Sequence, residues 1–336
     1  MRILVTGGFG FIGSALIKQL INVTDHEVLN IDKETYASMP ESLAKIRGNK
    51  NYSFKKIDIN LARDLYKVFN DFAPNTVIHL AAESHVDRSI VGSKEFINTN
   101  IIGTYNLLEA ARNSWGESLS NKKFLHVSTD EVFGSLTKEE RPFIEEDKYY
   151  PNSPYSASKA SSDLLVRAWS VTYNLPTIVT NCSNNYGPWQ FPEKFIPVII
   201  SNAIEGKRIP VYGKGENIRD WIFVEDHVKA LIEIVESNIV NSTFNIGADQ
   251  EISNLNLVKF ICSILDEFEP KIDQSSYVSQ IEFVRDRPGH DFRYAINSTK
   301  IKEDLGVTFE NDLENGLRKT VKWYLENRDW LKSKNI

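Results

Sequence analysis

Residues 3–13 read Ile-Leu-Val-Thr-Gly-Gly-Phe-Gly-Phe-Ile-Gly, an apolar run that turns at once into glycines and then opens an amphipathic stretch. No other segment restricts the fold as tightly. It satisfies both G-x-G-x-x-G, through Gly8, Gly10 and Gly13, and G-x-x-G-x-x-G, through Gly7, Gly10 and Gly13. Side chains there would obstruct a tight strand-to-helix turn and keep a pyrophosphate from the backbone N–H groups. The helix that follows adds partial positive charge at its N-terminus. Glycine turns also arise for structural reasons, so context decides. Asp32 ends the next expected strand, 19 residues after Gly13. A carboxylate there binds a ribose 2′-hydroxyl and repels a 2′-phosphate, which favours NAD over NADP.

The chain continues in the same style. Short apolar runs at 3–6, 27–31, 52–57, 76–80, 123–127 and 177–181 read as strands, with amphipathic helices at 11–21, 61–72, 96–114 and 155–173. Strands alternating with helices give βαβ units, right-handed crossovers and a Rossmann-type, doubly wound α/β fold with a parallel sheet. After Asn181, Pro188, Pro192, Pro197, Pro210 and the Gly213-Lys214-Gly215 turn punctuate shorter elements. A helix at 223–240 and a strand at 242–247 suggest that the chain returns to the first sheet. The expected division is residues 1–181 plus about 223–247 in a dinucleotide domain, and about 182–222 plus 248–336 in a smaller α/β domain.

Composition narrows the classes. With 336 residues the chain is long enough for two cores. Its net charge of −6 speaks against a nucleic-acid partner. The longest apolar stretch, around 195–204, is broken by Pro197, Ser201 and Asn202, too short and too polar to span a membrane. Cys182 and Cys262 are too few for a disulfide framework or a cysteine-rich metal site, and His79 and His85 lack further ligands, so no metal is expected. With no secretory signal in view, a cytoplasmic protein with reduced thiols is expected.

Tyr155-Ser156-Ala157-Ser158-Lys159 opens a helix after Pro154. Positions i and i+4 share a face, so phenol and ammonium point into one cleft. A cation beside a phenol lowers its pKa and makes Tyr155 a candidate base for an alcohol undergoing oxidation. Ser128 and Thr129 stand at the end of the fifth strand, followed by Asp130 and Glu131. Ligands of open α/β sheets bind beyond the carboxyl ends of the strands, and paired carboxyls there divide into acid and base if their surroundings differ.

Gly7, Gly10, Gly13, Asp32, Ser128, Tyr155 and Lys159 together resemble the extended short-chain dehydrogenase/reductases, over nearly the whole chain. The Thr129-Asp130-Glu131 run is similar to that of nucleotide-sugar 4,6-dehydratases; related epimerases lack the acidic pair. Phe133 stands where tyrosine is commoner. The resemblance implies a tightly bound NAD, regenerated in each turnover, contacted by Gly7, Gly10, Phe11, Ile12, Gly13, Asp32, Lys33, Asp58, Ile59, Ala81, Ala82, Ser84, Thr99, Ser128, Tyr155 and Lys159. It assigns catalysis to Thr129, Asp130, Glu131, Tyr155 and Lys159. It implies a nucleoside-diphosphate sugar, dTDP-glucose, held by Ser89, Asn184, Glu193, Lys194, Tyr212, Arg219, Asn254, Arg287, His290 and Tyr294. Arg219 and Arg287 suit the diphosphate through bidentate geometry. UDP- or CDP-glucose dehydration and 4-epimerisation are the alternatives. The family also pairs the helices near 96–114 and 155–173 across a two-fold axis, implying a homodimer.

Overall fold

The computed structural model describes residues 1–334. The first half lays down β1 (Arg2–Thr6), α1 (Phe11–Val23), β2 (Glu27–Asp32), β3 (Tyr52–Lys56), α2 (Ala62–Phe72), β4 (Thr76–His79), the short helices α3 (Val86–Val91) and α4 (Lys94–Phe96), α5 (Gly103–Trp115), β5 (Lys123–Thr129), α6 (Pro154–Tyr173) and β6 (Thr177–Cys182). The chain then leaves the sheet through β7 (Asn184–Tyr186), α7 (Phe195–Ile204), β8 (Ile209–Tyr212) and β9 (Ile218–Phe223). It comes back through α8 (Val224–Glu236) and β10 (Ser242–Ile246). The remainder is β11 (Glu251–Ser253), α9 (Asn254–Phe268), β12 (Ile281–Val284), β13 (Arg293–Tyr294), α10 (Thr299–Leu305), α11 (Leu313–Glu326) and α12 (Arg328–Lys334).

Seven strands form one sheet in the order β10-β6-β5-β4-β1-β2-β3, and every pairing in it is parallel. A parallel sheet is covered on both faces, which explains the unbroken apolar runs. Ile3, Leu4 and Val5 are all fully buried. Ile3 and Val5 pack under α1 and α8, while Leu4 packs on the opposite face with residues of α2 and α5. The order reverses between β1 and β4, and a doubly wound sheet opens its ligand crevice at that point.

The second region has its own core, where Ile196, Ile199 and Ile200 of α7 meet Leu257, Ile261 and Leu265 of α9 and Leu317 and Val321 of α11. Its small sheets escaped the sequence reading, because strands of two to six residues carry little periodicity. They matter here because β9 carries Arg219, and β13, which pairs with β9 in parallel, carries Tyr294.

One expected helix differs in form. The stretch 96–114 is a turn of α4, a π-helical segment Ile97–Ile102, and then α5. Widening to i→i+5 bonding places Asn100 so that its side chain both accepts from Glu83 N and donates to Glu83 O and Ser158 Oγ, which ties the β4 loop to α6.

Candidate active site

Local sequence sets the two walls of the crevice. On one side, Gly7 adopts φ +71°, and a Cβ there would lie 2.7 Å from the Ala81 backbone. A Cβ on Gly13 would lie 2.3 Å from the Gly7 carbonyl. No side chain caps the first turn of α1, and Gly10, Phe11, Ile12 and Gly13 at that helix start line the crevice. These features fit a dinucleotide pyrophosphate. On the other side, Ser153 and Ser156 form a reciprocal capping box, with Pro154 in the first turn, and this fixes the start of α6 and so the placement of Tyr155. Such a cap is worth ~1 kcal/mol.

The crevice brings most of the expected residues together. Gly7, Gly10, Phe11, Ile12, Gly13, Asp32, Lys33, Ile59, Ala81, Ala82, Ser84 and Thr99 line its cofactor end. Ser128, Thr129, Asp130, Glu131, Tyr155, Lys159, Asn184, Glu193 and Lys194 line the remainder. Asp32 already accepts from Phe9 N at 3.0 Å and from Glu34 N at 2.8 Å, which holds its carboxylate in place. Asp58 is not part of this wall; its carboxylate accepts from Asn60 N and shapes the turn into α2.

The other substrate candidates lie beside the crevice. Ser89 is buried and accepts from Tyr155 N at 3.3 Å, so it supports α6 from beneath. Arg219, also buried, donates to the carbonyls of Ile218, Asp291 and Phe292 and lies 4.1 Å over the Tyr294 ring. Arg287 pairs with Asp87 at 3.4 Å, and its Nε is buried without a partner. Tyr212 packs edge-on against His290, which is itself paired with Asp286 at 2.7 Å. Asn254 begins α9, its backbone N–H donating to Asn217.

Sequence reasoning missed a bridge over the crevice. The Tyr36 hydroxyl reaches both Glu193 oxygens at 3.0 Å, and the Arg88 guanidinium covers the Tyr36 ring at 3.8 Å. Lys194 donates to Ser84 O at 2.9 Å. Thr35, Ser38, Gln190 and Phe191 also line the crevice. The available signal was their place in loops that follow parallel strands.

The electrostatics separate the titratable groups. Asp130 is 2% exposed, its Oδ2 lacks a partner, and burial, then Glu131 and Asp220, hold its carboxyl well above the usual range. Burial also raises Glu131, but Arg287, Arg219 and Lys194 oppose the shift. The expected lowering of Tyr155 is not what this structure shows. Burial, with Glu131, Cys182 and Asp130 nearby, pushes the phenol well above its ordinary value. Lys159 turns its Nζ to the Val127 carbonyl at 2.9 Å and is itself lowered by burial. Burial pushes the Cys182 thiol up to about 12, so it is no nucleophile. Among the described residues, no group of three or more His, Cys, Asp or Glu side chains is placed to hold a metal.

The whole chain is similar to a known family. The family model described as GDP-mannose 4,6 dehydratase matches residues 4–320. A dTDP-glucose 4,6-dehydratase of Neisseria meningitidis is 54% identical over 335 residues, covering 98% of this chain and 94% of that protein. The dTDP-glucose 4,6-dehydratase of Bacillus anthracis, solved in complex with NAD, superposes with a TM-score of 0.88 at 39% identity, covering all of both chains. That of Streptomyces venezuelae superposes with a TM-score of 0.91 at 38% identity, again over all of both chains. The chain belongs to the family of that model, and within it to the dTDP-glucose 4,6-dehydratases.

Proposed function

We propose that the protein dehydrates dTDP-glucose to dTDP-4-keto-6-deoxyglucose with NAD as a retained cofactor. The observation that carries this reading is the placement of Asp130 and Glu131 in the same crevice as Tyr155, Lys159 and the glycine turn. An oxidation needs only the last three. A carboxyl pair beside them supports elimination as well.

NAD, when bound, supplies the acceptor for hydrogen leaving C4, returns it to C6, and in its oxidised form adds positive charge to the crevice. Tyr155 takes the proton of the C4 hydroxyl. That role requires its raised pKa to come down, and Lys159 is the resident cation in the same wall. Thr129 stands beside the pair, its hydroxyl 3.3 Å from Asp130 Oδ1, and orients the C4 oxygen. A ketone at C4 acidifies the C5 proton, which Glu131 removes. Asp130, whose acid form burial favours, donates to the C6 oxygen as water leaves. Glu131 then returns a proton to C5. Arg219 and Arg287 take the diphosphate, supported by their effect on Glu131 from beside the crevice.

The division of the chain expected from sequence belongs to the same proposal; the pairing of β10 with β6 supports it. So does a homodimer. Ile102 and Tyr105 on one helical stretch, and Leu164, Val171 and Tyr173 on α6, leave large apolar side chains 43–68% exposed. A cytoplasmic setting is supported by two buried, unpaired cysteines.

The test is Glu131→Gln. The variant should still reduce its cofactor on mixing with dTDP-glucose, but form product ~10²–10⁴-fold more slowly. Full product formation would remove Glu131 from the base role. Failure of the wild type to turn over any of dTDP-, UDP- and CDP-glucose would overturn the reading.

A further inference from the structure

Behind the crevice lies a closed polar cluster that meets the residues assigned a role above through Ser128, Lys159 and the Thr129 carbonyl, which accepts from Asn181 Nδ2 at 3.2 Å. Its centre is Asp163, one turn beyond Lys159 on α6 and 3% exposed. Its Oδ2 accepts from Ser128 Oγ at 2.8 Å and from Asn181 Nδ2 at 3.3 Å, and its Oδ1 faces His126 Nε2 at 3.1 Å. Burying a carboxylate is costly unless it is paired and hydrogen-bonded. These hydrogen bonds, with a further one from the Tyr149 phenol, account for part of that cost, and the remaining question is which cation balances the charge.

The surroundings leave one answer. His126 is held neutral by burial and keeps an unpartnered Nδ1. His79, 5.1 Å from the His126 ring, is also neutral, bonded to Thr6 at 2.8 Å and Thr104 at 2.9 Å. From the loop before α6, Tyr149 meets Asn181 at 3.4 Å and carries a phenol raised by burial. From β6 comes the Cys182 thiol. Asp130 and Glu131 follow β5 and Tyr155 precedes Lys159; none is a cation. On α5, Arg112 is taken by Glu109; on α3, Arg88 faces Glu193 and Asp87 faces Arg287; α4 carries Lys94 and Glu95. Two cations neighbour Asp163 at i±4 spacing on α6: Arg167 is exposed to solvent, and Lys159 is the buried one.

We propose that Asp163 is a positioning residue: its carboxylate is the buried counter-charge that keeps Lys159 an ammonium at the crevice wall, while it fixes the Ser128 hydroxyl. Burial alone works against the charge on Lys159, and Asp163 is the leading opposing influence. The chain thereby presents a cation to Tyr155 without exposing it to water. The inference rests on the proposed role of Tyr155 and Lys159 in C4 oxidation.

The test compares holoenzyme with Asp163→Asn, and with Asp163→Glu as the charge-retaining control. Two readouts separate a counter-charge from a merely structural contact. The first is thermal stability against pH. Burial already lets folded Lys159 lose its proton at a lower pH than in the unfolded chain, and without Asp163 it does so at a lower pH still. The Tm deficit of Asp163→Asn should therefore be largest near neutral pH and shrink as pH rises towards about 10. The second is the pH profile of cofactor reduction on mixing with dTDP-glucose, followed by near-ultraviolet absorbance. Its alkaline limb should move down by ~1–3 pH units in Asp163→Asn and stay close to wild type in Asp163→Glu. Asp163→Ser, which leaves room for a water between Ser128 and Asn181, carries the same expectation if the Asn variant does not fold. A deficit constant across pH with an unmoved limb overturns the inference. A wild type that never reduces its cofactor overturns the proposed function instead.

Discussion

Asp130 and Glu131 are adjacent in the chain, yet their carboxyls meet different fields. Asp130 sees mainly burial and the carboxyls of Glu131 and Asp220, whereas at Glu131 the cations Arg287, Arg219 and Lys194 oppose the effect of burial. One backbone step after β5 therefore separates a carboxyl whose acid form is strongly favoured from one whose ionised form is supported by nearby cations. Separation of this kind assigns acid and base within a pair.

Asp130→Asn tests that assignment. Because the Asp130 pKa is raised, its acid form persists upward in pH, and elimination falls on the alkaline side as that proton is lost. The variant should reduce cofactor on mixing with dTDP-glucose but release product ~10²–10⁴-fold more slowly. Its residual elimination should lack the alkaline limb. Stopped-flow absorbance with product analysis across pH reads both.

Gly13→Ala tests the glycine turn. The new Cβ meets the Gly7 carbonyl at 2.3 Å, so the turn must move. Overpacking of this kind costs ~1–3 kcal/mol, or ~5- to ~150-fold in NAD affinity if it falls on the bound state. The NAD content of purified protein should drop accordingly, with the fold retained by circular dichroism. Unchanged NAD content would remove the turn from the cofactor site.

Leu164→Glu tests the exposed face of α6. Leu164 is 58% exposed in the single chain. A charge buried at a two-fold interface meets its own copy or nearby apolar groups, so the dimer should weaken. Sedimentation velocity should show a dimer for the wild type and a larger monomer fraction for the variant. A wild type that is monomeric would contradict the proposed assembly.

Much of this was legible in the sequence because parallel strands bury both faces and announce themselves as apolar runs. The turn from Gly7 to Gly13, the start of α6 at Pro154 and the return strand at Ser242 all fall where their residues predict. The π-helical segment did not, since nothing in the 96–114 pattern distinguishes i→i+5 from i→i+4 bonding. Long-range pairings were equally silent: Tyr36 and Glu193 stand 157 residues apart. The environment of Tyr155 is not legible in the sequence for a related reason. The pattern Tyr155-x-x-x-Lys159 places a cation nearby, but not the burial and the neighbouring Asp130 and Glu131 that outweigh it here.

The central claim is one active site in which hydrogen leaves C4 and returns to C6 of the same sugar. Its most direct test is turnover of dTDP-glucose deuterated at C4 by the purified holoenzyme, with the product analysed by mass spectrometry and NMR. The account predicts dTDP-4-keto-6-deoxyglucose with the deuterium at C6 and a solvent-derived hydrogen at C5. Loss of the deuterium to solvent, or its retention at C4 in an epimerised sugar, would contradict it.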